Sequence, residues 1–386
     1  MHGKIVIAAS LAQKPLQGGH AWVLLQYLLG FRKLGWDVLF LDALEPGMCF
    51  DQKLNPCSLE QSQNLKAFLR VMTAFDLQNA FSLFVNKGER CIGKSRRQVL
   101  DHVRDSEVLI NIMGFFSDEQ VLAQARKRVF LDIDPGFGQM WEASGLAHLF
   151  DGYDCHITIG ENIGMQGCRI PNCGLEWITT PQPVVLDYWP PVYFEENTRM
   201  TSVASWRGAY GPVEYQGRSY GLRAHEFRKF ASLPSVTEQE FQLALSIHPD
   251  DAMDVDLLTS HGWQLVDPLM HAGDPWTYQA YIQKSASEFM TAKNMYVDTK
   301  SGWFSDRSIC YLSSGKPVLA QDTGLGSLFP AGEGLLLFET LDDAIYGVEE
   351  LRSDYKKHAL AARAIAEQYF DSDKVLGRLL GKLGVS

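Results

Sequence analysis

Short unbroken apolar runs alternate with longer amphipathic segments along this chain, and the alternation predicts strands and helices in turn. Lys4 to Ser10 reads as a buried strand, Ala21 to Leu34 as a helix apolar on more than one face, and Asp37 to Asp42 as a second strand. Gly18-Gly19 and Gly35 mark the joints between them. This is the opening βαβ unit of a doubly wound sheet. Leu65, Phe68, Leu69, Met72 and Phe75 follow at helical spacing, so residues 59 to 84 are expected to be mostly helical. Further strands are expected at Val108 to Met113, Val129 to Ile133 and His156 to Ile159.

Pro181, Pro183, Pro190 and Pro191 then crowd one short stretch and predict a semi-rigid linker between two sheet patterns. Beyond it the opening pattern returns. A strand from Thr201 to Trp206 leads into a glycine-rich loop and a helix from about Leu222 to Phe230. Strands at Glu240 to Ile247, Trp263 to Val266, Ser287 to Thr291 and Val318 to Ala320 alternate with helices near 251–260 and 275–284, and helix is expected from Leu341 on. The expected architecture is α/β, two Rossmann-like domains facing across a cleft, with domains at 1–185 and 186–370 and a terminal helix over 371–386.

The stretch Val297 to Leu325 carries the densest candidate chemistry. Ser301-Gly302 is a loop without a side-chain barrier at Gly302, Ser305 is a good N-cap, and Asp322-Thr323-Gly324 follows a buried strand. A helix start beside a glycine loop leaves N–H groups pointing outward and suits a phosphate, and carboxyl ends of strands are where open α/β sheets bind ligands. An ordinary capped helix explains the same residues. Arg207 and Lys293 each follow a predicted strand, where a cation can face a cleft.

Lys300-Ser301-Gly302-Trp303-Phe304-Ser305 resembles the His-x-Gly-Trp-x-Ser segment of nucleotide-sugar glycosyltransferases of the GT-B fold, with lysine in place of histidine. Gly315-Lys316-Pro317 resembles the Gly-x-Pro that follows it, and Gly18-Gly19-His20 resembles the glycine element after the first strand of the acceptor-side domain. The family's ribose-gripping glutamate is Ser308 here, which leaves Asp306 or Asp322 to supply a carboxylate. The resemblance implies a diphosphate held by Ser301, Gly302, Trp303, Ser305, Asp306, Asp322, Thr323 and Gly324, with Arg207, Lys293 or Lys300 neutralising the leaving charge. It also implies a last helix that crosses back to the first domain. His20 stands where inverting relatives keep a general base, with Asp134 or Asp118 to orient it, or else it caps the helix beginning at Ala21. Asp132 and Asp134 form a D-x-D, weighed as a metal pair on one strand face and as a turn; no metal and no cofactor beyond the co-substrate is expected, whether UDP-, GDP- or TDP-sugar.

Composition narrows the partners. The 386-residue chain has a net charge of −11, with Lys+Arg 35 against Asp+Glu 46, which argues against nucleic acid as a main partner. Its seven cysteines show no disulfide framework, no stretch resembles a membrane span, and a cytoplasmic setting is expected. The first loop lacks G-x-G-x-x-G, which disfavours a nicotinamide enzyme. The expected function is metal-independent transfer of a sugar from a nucleotide sugar to an acceptor. A nucleotide-sugar epimerase of the same fold and a non-catalytic nucleotide-sugar-binding protein are the rivals, and the pattern sets no oligomeric state.

Overall fold

The computed structural model describes residues 3–193, 199–208 and 210–385. Its first sheet is built from Lys4–Ala8 (β1), Asp37–Leu44 (β2), Phe81–Val85 (β3), Arg90–Gly93 (β4), Val108–Ile112 (β5), Arg128–Asp132 (β6), Cys155–Thr158 (β7) and Trp177–Thr179 (β8). The spatial order is β4-β3-β2-β1-β5-β6-β7-β8, and every pairing is parallel except β3 with β4. Ile5, Val6, Ile7 and Ala8 are all fully buried, as a parallel strand covered on both faces must be. Helix Gly18–Lys33 is buried from Ala21 to Phe31, which accounts for its apolar residues on more than one face.

The second sheet comprises Met200–Ser205 (β9), Phe241–Ser246 (β12), Gln264–Val266 (β13), Ser287–Met290 (β14), Val318–Gln321 (β15) and Leu335–Phe338 (β16), all parallel, in the order β13-β12-β9-β14-β15-β16. A separate hairpin, Val213–Tyr215 (β10) with Arg218–Tyr220 (β11), stands between β9 and helix Arg223–Arg228. Each sheet has a point where the strand order reverses, at β1/β5 and at β9/β14. Open α/β sheets take their ligands outside the carboxyl ends at such points.

The proline-rich crossover is packed rather than free. Trp189 is fully buried with its ring centroid 4.9 Å from that of Trp22. Val184 accepts the Ser372 N–H at 2.9 Å and donates its own to Phe370 at 2.8 Å, which ties the crossover to the last helix, Ser372–Lys382. That helix lies on Gly18–Lys33, where a Cβ on Gly30 would stand 2.5 Å from Leu376 Cδ1.

Two expectations are corrected. Helix Gln63–Ala74 does not run on to 84: Asp76 takes a left-handed φ of 62°, and Phe81–Val85 is strand β3. A short continuous apolar run carries no period to separate it from a helix. The loop after β9 holds the β10–β11 hairpin, which its glycines conceal. Between β3 and β5, β4 leads into the capped helix Arg96–Asp105, with Arg90 paired to Glu60 and Arg96 to Asp118 on the surface.

Candidate functional site in the interdomain cleft

Two adjoining cavities lie between the sheets, and both are lined by His20 and Arg223. The first, ≈ 250 Å³, is walled by residues after β1, β5 and β6 on one side and by Lys293, Tyr296, Trp303 and Asp306 on the other. The second, ≈ 480 Å³, is a trough of mostly small, uncharged residues at the carboxyl ends of β9 and β12, with Arg223 on its wall, closed by Pro268, Leu269 and Ala272.

On the first-domain wall, helix Gly18–Lys33 starts three residues earlier than the cap reading of His20 needs, so His20 stands within its first turn and caps nothing. Its Nε2 lies 2.6 Å from the Ser10 carbonyl oxygen. A carbonyl only accepts, so Nε2 carries the proton and Nδ1 keeps the lone pair. Burial, with the charge of Lys14 adding to it, pushes the His20 pKa down to about 4, so the ring is neutral at neutral pH. The carboxylate expected to orient it is elsewhere. Asp118 caps helix Glu119–Leu122 and pairs with Arg96. Asp134 holds Lys293 Nζ 2.9 Å from each of its oxygens and accepts from the Tyr296 hydroxyl.

Asp132 and Asp134 do not act as a pair on one face, because β6 ends at Asp132 and the chain turns. Asp132 is buried, accepting from Gln139 at 2.6 Å, Thr158 at 3.0 Å and the Asp134 N–H at 3.0 Å, while Asp134 faces the cleft. Burial raises Asp132 to about pH 6. Among the described residues no group of three or more His, Cys, Asp or Glu could hold a metal ion.

On the second-domain wall one cation lines both cavities, and no motif in the sequence marks it. Arg223 opens helix Arg223–Arg228, lines both cavities, and has its Nε buried with no hydrogen-bond partner. Burial, then the neighbouring charge of Arg307, lowers its pKa to about 10. Arg207, the expected arginine, turns outward: its Nε and Nη2 donate to Asp251 at 2.8 and 2.7 Å. Lys293 does reach the cleft, already bridged to Asp134 across it.

The glycine loop is closed by the protein itself. Gly302 has φ 71°, and a Cβ there would stand 2.8 Å from the Asn162 backbone nitrogen of the first domain. Asn162 donates its N–H to Ser301 at 3.0 Å and its side-chain amide to the carbonyls of Lys300 and Gly324, each at 3.1 Å. Gly160 and Trp303 form a β-bridge. The N–H of Gly302 donates to Thr323 O at 2.8 Å, that of Trp303 to Ser301 Oγ at 3.2 Å, and Thr323 Oγ1 donates to Trp303 O at 2.6 Å. Lys300 is held by Asp322 at 3.0 Å and Glu339 at 2.6 Å, and Asp322 also accepts the N–H groups of Gly324 and Leu325. Much of the expected phosphate cradle is thus an interdomain clasp.

Ser305 caps helix Asp306–Ser313 as expected, accepting the Arg307 N–H at 3.2 Å. Asp306, next in line, borders the cavity, and burial raises its pKa to about 6. Ser308 is buried. Gly18 and Gly19 are small for a similar reason to Gly302: a Cβ on Gly18 would stand 2.2 Å from Asp274 O, and one on Gly19 3.0 Å from the Tyr278 ring. Gly19 also lines the larger cavity.

No family model and no curated protein matches the sequence. Solved structures do match, over their whole length. Sucrose-phosphate synthase from Thermosynechococcus elongatus superposes with a TM-score of 0.57 at 12% identity, covering 99% of each chain. Anabaena HepE in complex with UDP-glucose gives 0.58 at 12%, covering 99% of this chain and 100% of that one. The chain has the GT-B fold. A third neighbour, an alpha-glucosyltransferase in complex with UDP and a 13-mer DNA, gives 0.59 at 10% identity with 100% of both chains covered. Within this GT-B fold, no described helix is long and apolar enough to cross a membrane.

Proposed function

We propose that this protein is a glycosyltransferase that takes its sugar from a nucleotide sugar. The observation that carries the reading is the half-buried Arg223, whose buried Nε has no hydrogen-bond partner, lining the cleft with Lys293 at the strand-order reversal of the second sheet and between two cavities large enough for a nucleotide and a sugar. Two cations facing one cleft, only one of them already paired, suit a bound diphosphate.

In this reading the nucleoside lies in the larger trough and the diphosphate meets Arg223 and Lys293. The sugar points into the smaller cavity toward His20. The bond from the anomeric carbon to the diphosphate oxygen breaks, and the two cations stabilise the charge that departs with that oxygen. The acceptor oxygen bonds to the anomeric carbon and yields its proton to His20 Nδ1. Side chains carry the counter-charge throughout, and the reaction is read as metal-independent. The net charge of −11 favours a small acceptor over nucleic acid.

The experiment is a melting-temperature screen of UDP, GDP and TDP and their sugars, followed by a donor-consumption assay with and without acceptors. A ligand that binds only the folded state raises its melting temperature. The reading expects one nucleoside diphosphate to do so, and UDP is tested first because neighbouring structures hold it. Failure of all three would overturn it. Conversion of the donor sugar with no acceptor would identify an epimerase instead.

A further inference from the structure

Lys14 lies on the loop between β1 and helix Gly18–Lys33, half-buried, and lines the smaller cavity beside His20, Phe115 and Asp134. Among the described residues its ammonium makes no hydrogen bond and no ion pair; it stands over the Phe115 ring, 4.9 Å from the centroid. The two carboxylates whose fields reach it are both committed elsewhere. Asp134 holds Lys293 with both oxygens. Asp42 is fully buried and accepts the N–H groups of Leu11, Ala12 and Ala43 at 2.8, 2.7 and 2.6 Å. Burial lowers the Lys14 pKa despite those two charges. An ammonium that faces a cavity with no carboxylate partner of its own is suited to receive an anion, and partial burial strengthens the charge-assisted hydrogen bond it would make.

The wall it occupies says which anion. Arg223 and Lys293, on the opposite domain, serve the donor diphosphate in the reading above, and the nucleoside trough is not lined by Lys14. His20, six positions along the same loop and helix, presents the proton acceptor. Resting on that transferase reading, we propose that the acceptor carries an anionic group, a phosphate or a carboxylate. Lys14 receives that group and so sets the acceptor hydroxyl beside His20.

The test is calorimetric titration of the full-length protein, saturated with UDP, with inorganic phosphate and separately with acetate. Wild type is expected to bind at least one of them, and Lys14→Met to weaken that binding at least tenfold, the scale of one charge-assisted hydrogen bond. UDP affinity should stay within twofold, and Lys14→Arg should keep most of the anion binding. Phosphate alone points to a phosphorylated acceptor and acetate alone to a carboxylic acid. No binding of either anion by wild type overturns the proposal, as does equal binding in Lys14→Met. A fall in UDP affinity as large as the fall in anion affinity also overturns it, because Lys14 would then serve the donor. If Lys14→Met does not fold, Lys14→Gln takes its place. Wild type that does not bind UDP defeats the donor reading separately, and the two titrations on UDP-free protein still report on Lys14.

Discussion

Two basic regions of the second domain are candidates for the proposed diphosphate, and they differ in what surrounds them. The Lys300–Ser305 loop has the recognisable motif, yet its lysine is paired twice and its Gly302 lies against Asn162. Arg223 and Lys293 have no motif, and both line the cleft at the end of the sheet. A glycine in a ligand-like motif reports that something approaches the backbone closely, and here that something is the other domain. On the proposed reading the clasp and the cations have separate duties, one joining the two domains and the other facing the cleft.

The largest expected effect breaks the clasp. Gly302→Val puts a β-branched residue at φ 71° and a Cβ 2.8 Å from a backbone atom, and Asn162 cannot yield as a flexible side-chain tip would. The variant should lose about 3 kcal/mol or more of stability, read by denaturant unfolding. A variant of unchanged stability that had merely lost nucleotide binding would restore the loop as the phosphate site.

Next comes His20. With Nδ1 as the proton acceptor, His20→Ala should fold and bind UDP normally while transferring sugar at least about a hundredfold more slowly. Near-normal turnover would remove the base and favour a retaining mechanism, which needs none. A smaller effect is expected at Asp134, whose carboxylate neutralises Lys293 across the cleft. Asp134→Asn should tighten UDP binding by about threefold to tenfold, since a half-buried ion pair of this kind is worth roughly 1 kcal/mol. Weaker UDP binding in that variant would mean that Asp134 positions Lys293 rather than competing for it.

The smallest effect separates His20 from Asp306. His20 must be neutral to accept a proton, so the acid limb of kcat/KM should fall near its pKa of about 4, and a limb near 6 would point to Asp306. The same depressed pKa links to stability. His20 contributes fully above the unfolded value of about 6.5, and its contribution is lost as pH falls toward 4, because the unfolded chain binds the proton more readily. His20→Gln should flatten that part of the stability–pH curve relative to wild type.

The architecture was legible because parallel strands buried on both faces read as short apolar runs, and glycines stop the helices between them. Phe81–Val85 was misread because five buried residues carry no distinguishing period, and the left-handed Asp76 that ends the preceding helix is not glycine. The site was harder to read. Arg223 follows the unforeseen β10–β11 hairpin, away from β9 in sequence, whereas Arg207, next to the strand, is paired with Asp251. Lys14 gave no signal either, since its importance lies in having no partner. Which charges are paired across domains is set by packing between distant segments, and spacing along one chain does not encode it.

The central claim is that the cleft-facing cations, and not the motif-bearing loop, hold the diphosphate. Calorimetric titration of UDP into wild type, Arg223→Ala, Arg207→Ala and Lys300→Ala tests it most directly. The account predicts about a tenfold to hundredfold loss of affinity in Arg223→Ala, the scale of a lost charge-assisted hydrogen bond, and less than about twofold in the other two variants. Full affinity in Arg223→Ala together with a large loss in Lys300→Ala or Arg207→Ala would contradict it.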